Sequence, residues 1–401
     1  MENATHHEKQ KTAFTLKRFH ISEDYGFLLP NPLKELPPFY SPWMEIARRL
    51  SSLIESHQLR SQIHKMPLLS CQYLQGHREL YLAHLVLSFI TMGYVWQEGE
   101  KEVPKVLPRN LAIPFGEVSE MLGLPPILVH TDFVLVNWKK KNPQGNLEPI
   151  VTLPGGKSTV GFILVSLLAE KVAAPGLKAI AKAVNGLLQP DDKILAEALQ
   201  EVTNTLQEMT KTLKKMHGKL SVGPLLCNPL VPFLFFSWKD NPVLPEGLLY
   251  EGLCEEPLAY SGGSAAQSST LHAFDELLGI QHQKESAGFL HRMRKYMPPH
   301  HQAFIEEIRS VPRLKDHVLS SGNQDLQSTY NKCVAALSEL RTYHITLVTK
   351  YIVIAAKKAK NNISQTTSPP SFLEVVGTGG SRVLKFLKSV RDTTKEAMIQ
   401  L

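Results

Sequence analysis

The sequence predicts a mainly α-helical protein with a smaller mixed region at the N-terminal end and a larger helical region after it. Three observations lead there. Apolar residues recur at three- and four-residue steps over several long stretches, which is one face of a helix. The first third of the 401 residues is rich in proline and mixed in pattern. Between the two lies 139–157, with three lysines in a row, Asn142-Pro143, Gly145 and Pro154-Gly155-Gly156, the composition of a linker. The expected division is a flexible tail over 1–18, a small domain over 19–150 and a large domain over 151–401, in which 361–380 is a mobile loop.

In the small domain, Pro30-Asn31-Pro32 and Pro37-Pro38 mark turns before a helix over 43–55. A second helix, dense in leucine and aromatics, covers 80–96. The valine-rich run 127–138 fits a strand or a buried helix equally well. In the large domain, 159–173 is apolar on nearly every side and should be buried on most faces. The stretch 190–217 carries Leu195, Leu199, Val202, Leu206, Met209, Leu213 and Met216 in alternating steps, with Gly218 as the stop. That stripe suits a coiled coil, and better suits an internal packing face. Further helices are expected over 268–280, 284–296, 302–310, 330–360 and 381–399.

Composition narrows the function. The net charge of +7 is dispersed, and the densest lysine runs are not interleaved with stacking aromatics, so nucleic acid is not an expected partner. Cys71, Cys227, Cys254 and Cys333 are far apart, which excludes a zinc knuckle or a disulfide framework. The polar residues 1–17 do not read as a signal peptide and no run reads as a membrane span, so the expectation is a cytoplasmic protein.

Two motifs tempt and fail. Pro154-Gly155-Gly156-Lys157-Ser158 resembles the end of a phosphate-binding loop, but Val151 stands where its first glycine belongs, so a plain helix start is expected. Gly262-Gly263-Ser264-Ala265-Ala266 resembles a nucleophile elbow, but Ala266 replaces the second glycine and no buried strand precedes it. Such a run instead lets backbone approach a flat ligand closely.

One residue stands out. Leu337, Leu340, Leu347 and Tyr351 define an apolar helix face, and His344 falls on it. A buried imidazole costs free energy unless its nitrogens find partners. It is either a core histidine bonded to a carbonyl or an iron ligand.

Six stretches then identify a resemblance: 20–40, 105–110 (KVLPRN), 124–138 (LPPILVHTDFVLVNW), 161–168 (GFILVSLL), 250–267 and 341–351 (RTYHITLVTKY), with the loop 377–380 (GTGG). The chain resembles the indoleamine 2,3-dioxygenase family from about Phe19 to its C-terminus. His130 and the wording of 66–78 look more like the second of the family's two paralogues than the first. The resemblance implies a large all-helical haem-binding domain, a smaller mixed α/β N-terminal domain, and haem b between them. It implies that dioxygen, as co-substrate, is inserted across the indole C2–C3 bond of L-tryptophan or a related indoleamine, giving N-formylkynurenine. It further implies a reductant for the haem iron, a monomer, and a setting in tryptophan catabolism, the kynurenine pathway and immune regulation.

Residue by residue, the resemblance makes His344 the iron ligand, Arg341 the partner of a haem propionate and Asp275 the acid supporting the ligand. Phe162 and Ser166 fall on the oxygen side. His130 and Phe133 fall in the inner pocket for the indole, and Gly263, Ser264 and Ala265 on the wall against the haem. Thr378 falls on a lid over the substrate. The chain departs from the pattern over 219–236. Counted back from Ser237-Trp238-Lys239, Cys227 replaces a phenylalanine and Pro232 replaces the arginine that pairs with the substrate carboxylate. Phe233, Phe235 and Phe236 keep that segment apolar, with Phe235 placed to cap the pocket. The expectation is weak tryptophan turnover; the alternatives are a non-catalytic haem protein on the same scaffold, acting in signalling or interaction, and a dioxygenase for a different indoleamine.

Overall fold

The computed structural model describes residues 13–99, 101–142, 145–217, 237–354 and 382–400. The 219–236 departure, Phe235, Gly218, the 361–380 loop and Thr378 lie outside these residues.

Helices dominate, as the periodicity predicts. In the N-terminal part, α1 (Ser41–Arg48), α2 (Leu50–Glu55) and α3 (Leu59–Lys65) surround α4 (Gly76–Trp96), and α5 (Arg109–Leu122) packs beside it. Pro114 sits inside α5 although proline removes a helical hydrogen bond. The Pro114 carbonyl accepts from the Cys71 thiol at 3.6 Å. The ambiguous run 127–138 is neither a long helix nor a strand; it contains a single π-helical turn, Thr131–Leu135.

The larger part is built on α6 (Gly156–Val172), α7 (Ala174–Leu188) and α8 (Asp192–Lys214). After residue 236 come α9 (Ser269–Leu278), α10 (Lys284–Arg294), α11 (Pro299–Ser310), α12 (Leu314–Ser320), α13 (Gln324–Val348) and α14 (Arg382–Glu396). On α8 the stripe Leu195, Leu199, Val202, Leu206 and Met209 is buried against α7 and α13, so it is an internal packing face and not a coiled-coil seam. Gly155 and Gly156 both have positive φ where the chain turns into α6, a plain helix start.

Strands are few. β1 (Val106–Leu107) pairs in parallel with β4 (Leu249–Tyr250), and β2 (Lys139–Lys140) pairs antiparallel with β3 (Leu147–Glu148) inside the stretch read as linker. The first pairing crosses the expected boundary at 150. Residues 237–260 pack on the N-terminal part: Trp238 stacks on Trp96 at 5.9 Å and donates its indole N–H to the Tyr250 hydroxyl at 2.9 Å. Tyr250 in turn donates to the Pro126 carbonyl at 2.5 Å. Gly247 completes the turn with φ +97°, where a Cβ would lie 2.4 Å from the Leu258 carbonyl oxygen.

Two sequence expectations change. The tail drawn over 1–18 is packed from Phe14, whose ring meets Phe19 at 5.3 Å and Phe304 at 5.4 Å. Two stretches, Gly76–Trp96 and Gly156–Leu188, are long and apolar enough to cross a membrane, contrary to the sequence reading. The first is 89% buried inside the protein and serves as the core of the N-terminal part. The second bends between α6 and α7 and packs on α8.

The Tyr250 hydroxyl is fully buried and joins two groups that have no access to water. Tyr250→Phe strands the Pro126 carbonyl and the Trp238 N–H. The expected cost is at least about 1 kcal/mol, read as a lowered urea midpoint at unchanged slope.

Candidate functional site

Helix α13 starts from an Asn323 cap, whose side chain accepts the Leu326 N–H, and runs straight through the apolar face read from the sequence. Leu337, Leu340, Leu347 and Tyr351 are all buried. His344 lies on that face and is half-buried. It makes no hydrogen bond and no ring contact with any described residue, so the core-histidine reading, which needs a carbonyl partner, has none here. Burial, with the Arg341 charge beside it, pushes the imidazole down to about 4, so it is neutral near pH 7 with a lone pair to offer.

One turn earlier, Arg341 is buried and paired. Its Nη2 lies 2.8 and 2.7 Å from the two oxygens of Asp275, and its Nη1 donates to Thr394 on α14. The guanidinium expected to meet a haem propionate is thus engaged with the acid expected to support the iron ligand. His282 extends the pair, with Nε2 2.9 Å from Asp275 and Nδ1 2.9 Å from Thr393. Burial opposes the Asp275 charge, but Arg341 and His282 prevail and hold its carboxyl well below the usual carboxylate range.

Helix α9, which carries Asp275, also carries His272. That ring donates from Nε2 to the Ala266 carbonyl at 2.8 Å and accepts from Arg294 at 3.3 Å. Its burial lowers it to about 4. This fixes the glycine–serine wall: Gly263 and Ser264 are half-buried, Ala265 is exposed, and the Ser264 hydroxyl accepts the Ala266 N–H as a cap rather than standing as a nucleophile.

Phe162 and Ser166 lie four apart on α6 and are partly exposed while their neighbours are buried. The Ser166 hydroxyl donates to the Phe162 carbonyl at 3.0 Å. Phe133 meets Phe162 at 5.8 Å between ring centres. His130 is buried, with its Nε2 3.0 Å from Glu170. Glu170, Gln267, His272 and His282 escaped the sequence reading. Glu170 alone left a signal, being the only acid in the apolar stretch 159–173.

The residues fit a haem. Among the described residues no group of three or more His, Cys, Asp or Glu is arranged to hold a bare metal ion. A single neutral imidazole with no partner among the described residues suits an iron whose other protein-independent ligands a haem would supply. His344 would hold the iron, Arg341 and Asp275 would brace the helix turn beneath it, and Gly263–Ser264 would leave room for a flat macrocycle.

Asp275 contributes stability at pH values above its unfolded pKa of about 4, and that contribution is lost as pH falls through the depressed folded value. Asp275→Asn leaves Arg341 buried without a counter-charge. The expected loss is about 3–5 kcal/mol near pH 7 in urea unfolding, with the gap to wild type closing below about pH 4.

The comparisons with known proteins come down on one side. The family model described as indoleamine 2,3-dioxygenase matches residues 15–397. The chain is 58% identical to indoleamine 2,3-dioxygenase 2 of Homo sapiens, over 98% of each chain. It is 45% identical to indoleamine 2,3-dioxygenase 1 of Rattus norvegicus, over 96% of each. A protein named myoglobin, from Haliotis diversicolor, is 38% identical over 95% of this chain and 98% of its own. With a match across nearly all its length and relatives well above 30% identity, the chain belongs to the indoleamine 2,3-dioxygenase family.

Proposed function

We propose that this protein is a haem-dependent dioxygenase that opens the indole ring of L-tryptophan to N-formylkynurenine, and that it does so slowly. The observation that carries the first part is His344: a neutral imidazole on a core helix with no partner among the described residues, and with Arg341 and Asp275 locking the turn before it. Haem iron, when bound, supplies the oxygen chemistry, and the protein needs no acid–base dyad of its own. What the chain supplies is position and dryness. Phe162 and Phe133 offer apolar walls to an indole, and the Ser166 hydroxyl, spent on its own helix, adds no charge to the oxygen side.

The second part rests on Pro232. No arginine stands between Arg109 and Arg292, so the carboxylate of tryptophan loses a charge-assisted hydrogen bond. That loss is worth about 1.5–3 kcal/mol, or one to two decades in affinity. An indoleamine without a carboxylate loses nothing by it. A second reading, a haem protein without turnover, is favoured by the Haliotis diversicolor relative named myoglobin.

Reconstitution with haem and one visible spectrum test the iron site. A Soret band is expected in wild type and its loss in His344→Ala; an unchanged band in that variant would place the ligand elsewhere. Kinetics on the reduced holoprotein then separate the substrate readings. The expected result is a KM for tryptophan in the range roughly tenfold or more above that for tryptamine. Equal values would remove the argument from Pro232, and no product from either would favour the second reading.

A further inference from the structure

The α6 face that presents Phe162 and Ser166 has a third member. Glu170 follows Ser166 by four residues, so all three lie on one side of the helix. Glu170 is buried, and a carboxylate is an expensive group to bury. Every donor around it comes from another wall of the same site. His130 Nε2 donates to Oε1 at 3.0 Å, the Ser268 hydroxyl donates to Oε1 at 2.7 Å, and the Thr270 hydroxyl donates to Oε2 at 2.6 Å. The loop closes on itself, because the His130 N–H donates to Gln267 at 3.0 Å and Gln267 donates to the Gly262 carbonyl at 2.9 Å.

We propose that Glu170 is a positioning residue for the substrate pocket, setting α6, the His130–Phe133 turn and the 262–270 loop at a fixed spacing around the indole. It rests on the dioxygenase reading above. The geometry supports it in two ways. The three anchored segments carry Phe162 and Ser166, His130 and Phe133, and Gly263 to Ala265, the residues the family resemblance assigns to the pocket. No other described carboxylate accepts from two of these segments at once. Burial works against the Glu170 charge, yet the His130, Thr270 and Ser268 donors hold its carboxyl below the ordinary glutamate value, so it acts as a three-way acceptor at neutral pH. Binding an apolar ring depends on walls held to within a fraction of an ångström, and a clamp between walls sets that tolerance without touching the ligand.

The test uses haem-loaded full-length protein and indole itself, which has no carboxylate and is therefore insensitive to Pro232. Wild type, Glu170→Gln, Ser268→Ala and Thr270→Ala are compared by indole titration of the Soret band, by the infrared stretch of carbon monoxide on the reduced iron, and by thermal melting. Glutamine keeps the shape but turns an N–H2 toward a donor. The expected result is at least a fivefold weaker indole affinity and a broadened or split carbon monoxide band in Glu170→Gln. Each hydroxyl variant should show a smaller change in the same direction, and the Soret band of each uncomplexed protein should keep its position. Variants that melt earlier but bind indole as wild type does, with one sharp carbon monoxide band, would overturn the proposal and leave Glu170 a purely structural acid. If Glu170→Gln fails to fold, the two hydroxyl variants decide by the same criteria. Absence of a Soret band in wild type would instead overturn the dioxygenase reading.

Discussion

A guanidinium buried on α13 constrains much of the larger part of this protein. Arg341 cannot be neutralised, so the fold must bring an anion and further acceptors to it. It brings Asp275 from α9 and Thr394 from α14, and Asp275 brings His282. Three segments distant in sequence are thereby locked at one point. That point lies one helical turn from His344, so the pair fixes the rotation of the helix on which the imidazole is carried. A helix free to roll by one residue, about 100°, would turn His344 off the apolar face.

Helix α9 links the two sides of the site. Asp275 faces Arg341, and His272, three residues earlier, holds the Ala266 carbonyl. Two residues before that, Thr270 donates to Glu170, and Ser268 at the helix cap does the same. One short helix and the loop before it therefore connect the imidazole side with the α6 side through hydrogen bonds whose polar groups are all paired. Paired buried networks of this kind specify one arrangement, whereas a half-paired network costs more than an apolar core. Outside the site the packing is less strict. The indole nitrogens of Trp43 and Trp138 are buried without a partner among the described residues.

Much of this was legible in the sequence where periodicity carried the information. The buried faces of α8 and α13 follow directly from the spacing of leucines and methionines, and His344 was conspicuous because it interrupts one of them. What periodicity cannot report is pairing across long sequence separation. Nothing in the local wording of 237–260 says that Trp238 stacks on Trp96 or that Tyr250 bonds to Pro126. The boundary expected at 150 follows composition, which does not report that exchange. Pro114 sits inside α5, where packing outweighs the one lost hydrogen bond. The family resemblance located Arg341 and Asp275, but their contact with one another is a tertiary fact.

The site is asymmetric in how its charges are supported. On the imidazole side the described charges Arg341 and Asp275 pair with each other inside the protein. On the pocket side Glu170 is satisfied by His130, Ser268 and Thr270, and the described residues placed there, Phe162, Ser166, Phe133 and Ser264, carry no charge. A substrate that buried a charge against those four side chains would bring a group they cannot pair, at a cost of the same kind as breaking a buried pair. A neutral indole meets no such penalty. On the proposed reading, selection between substrates would therefore turn on which charges the pocket can pair, and not on the iron side, which would treat all of them alike.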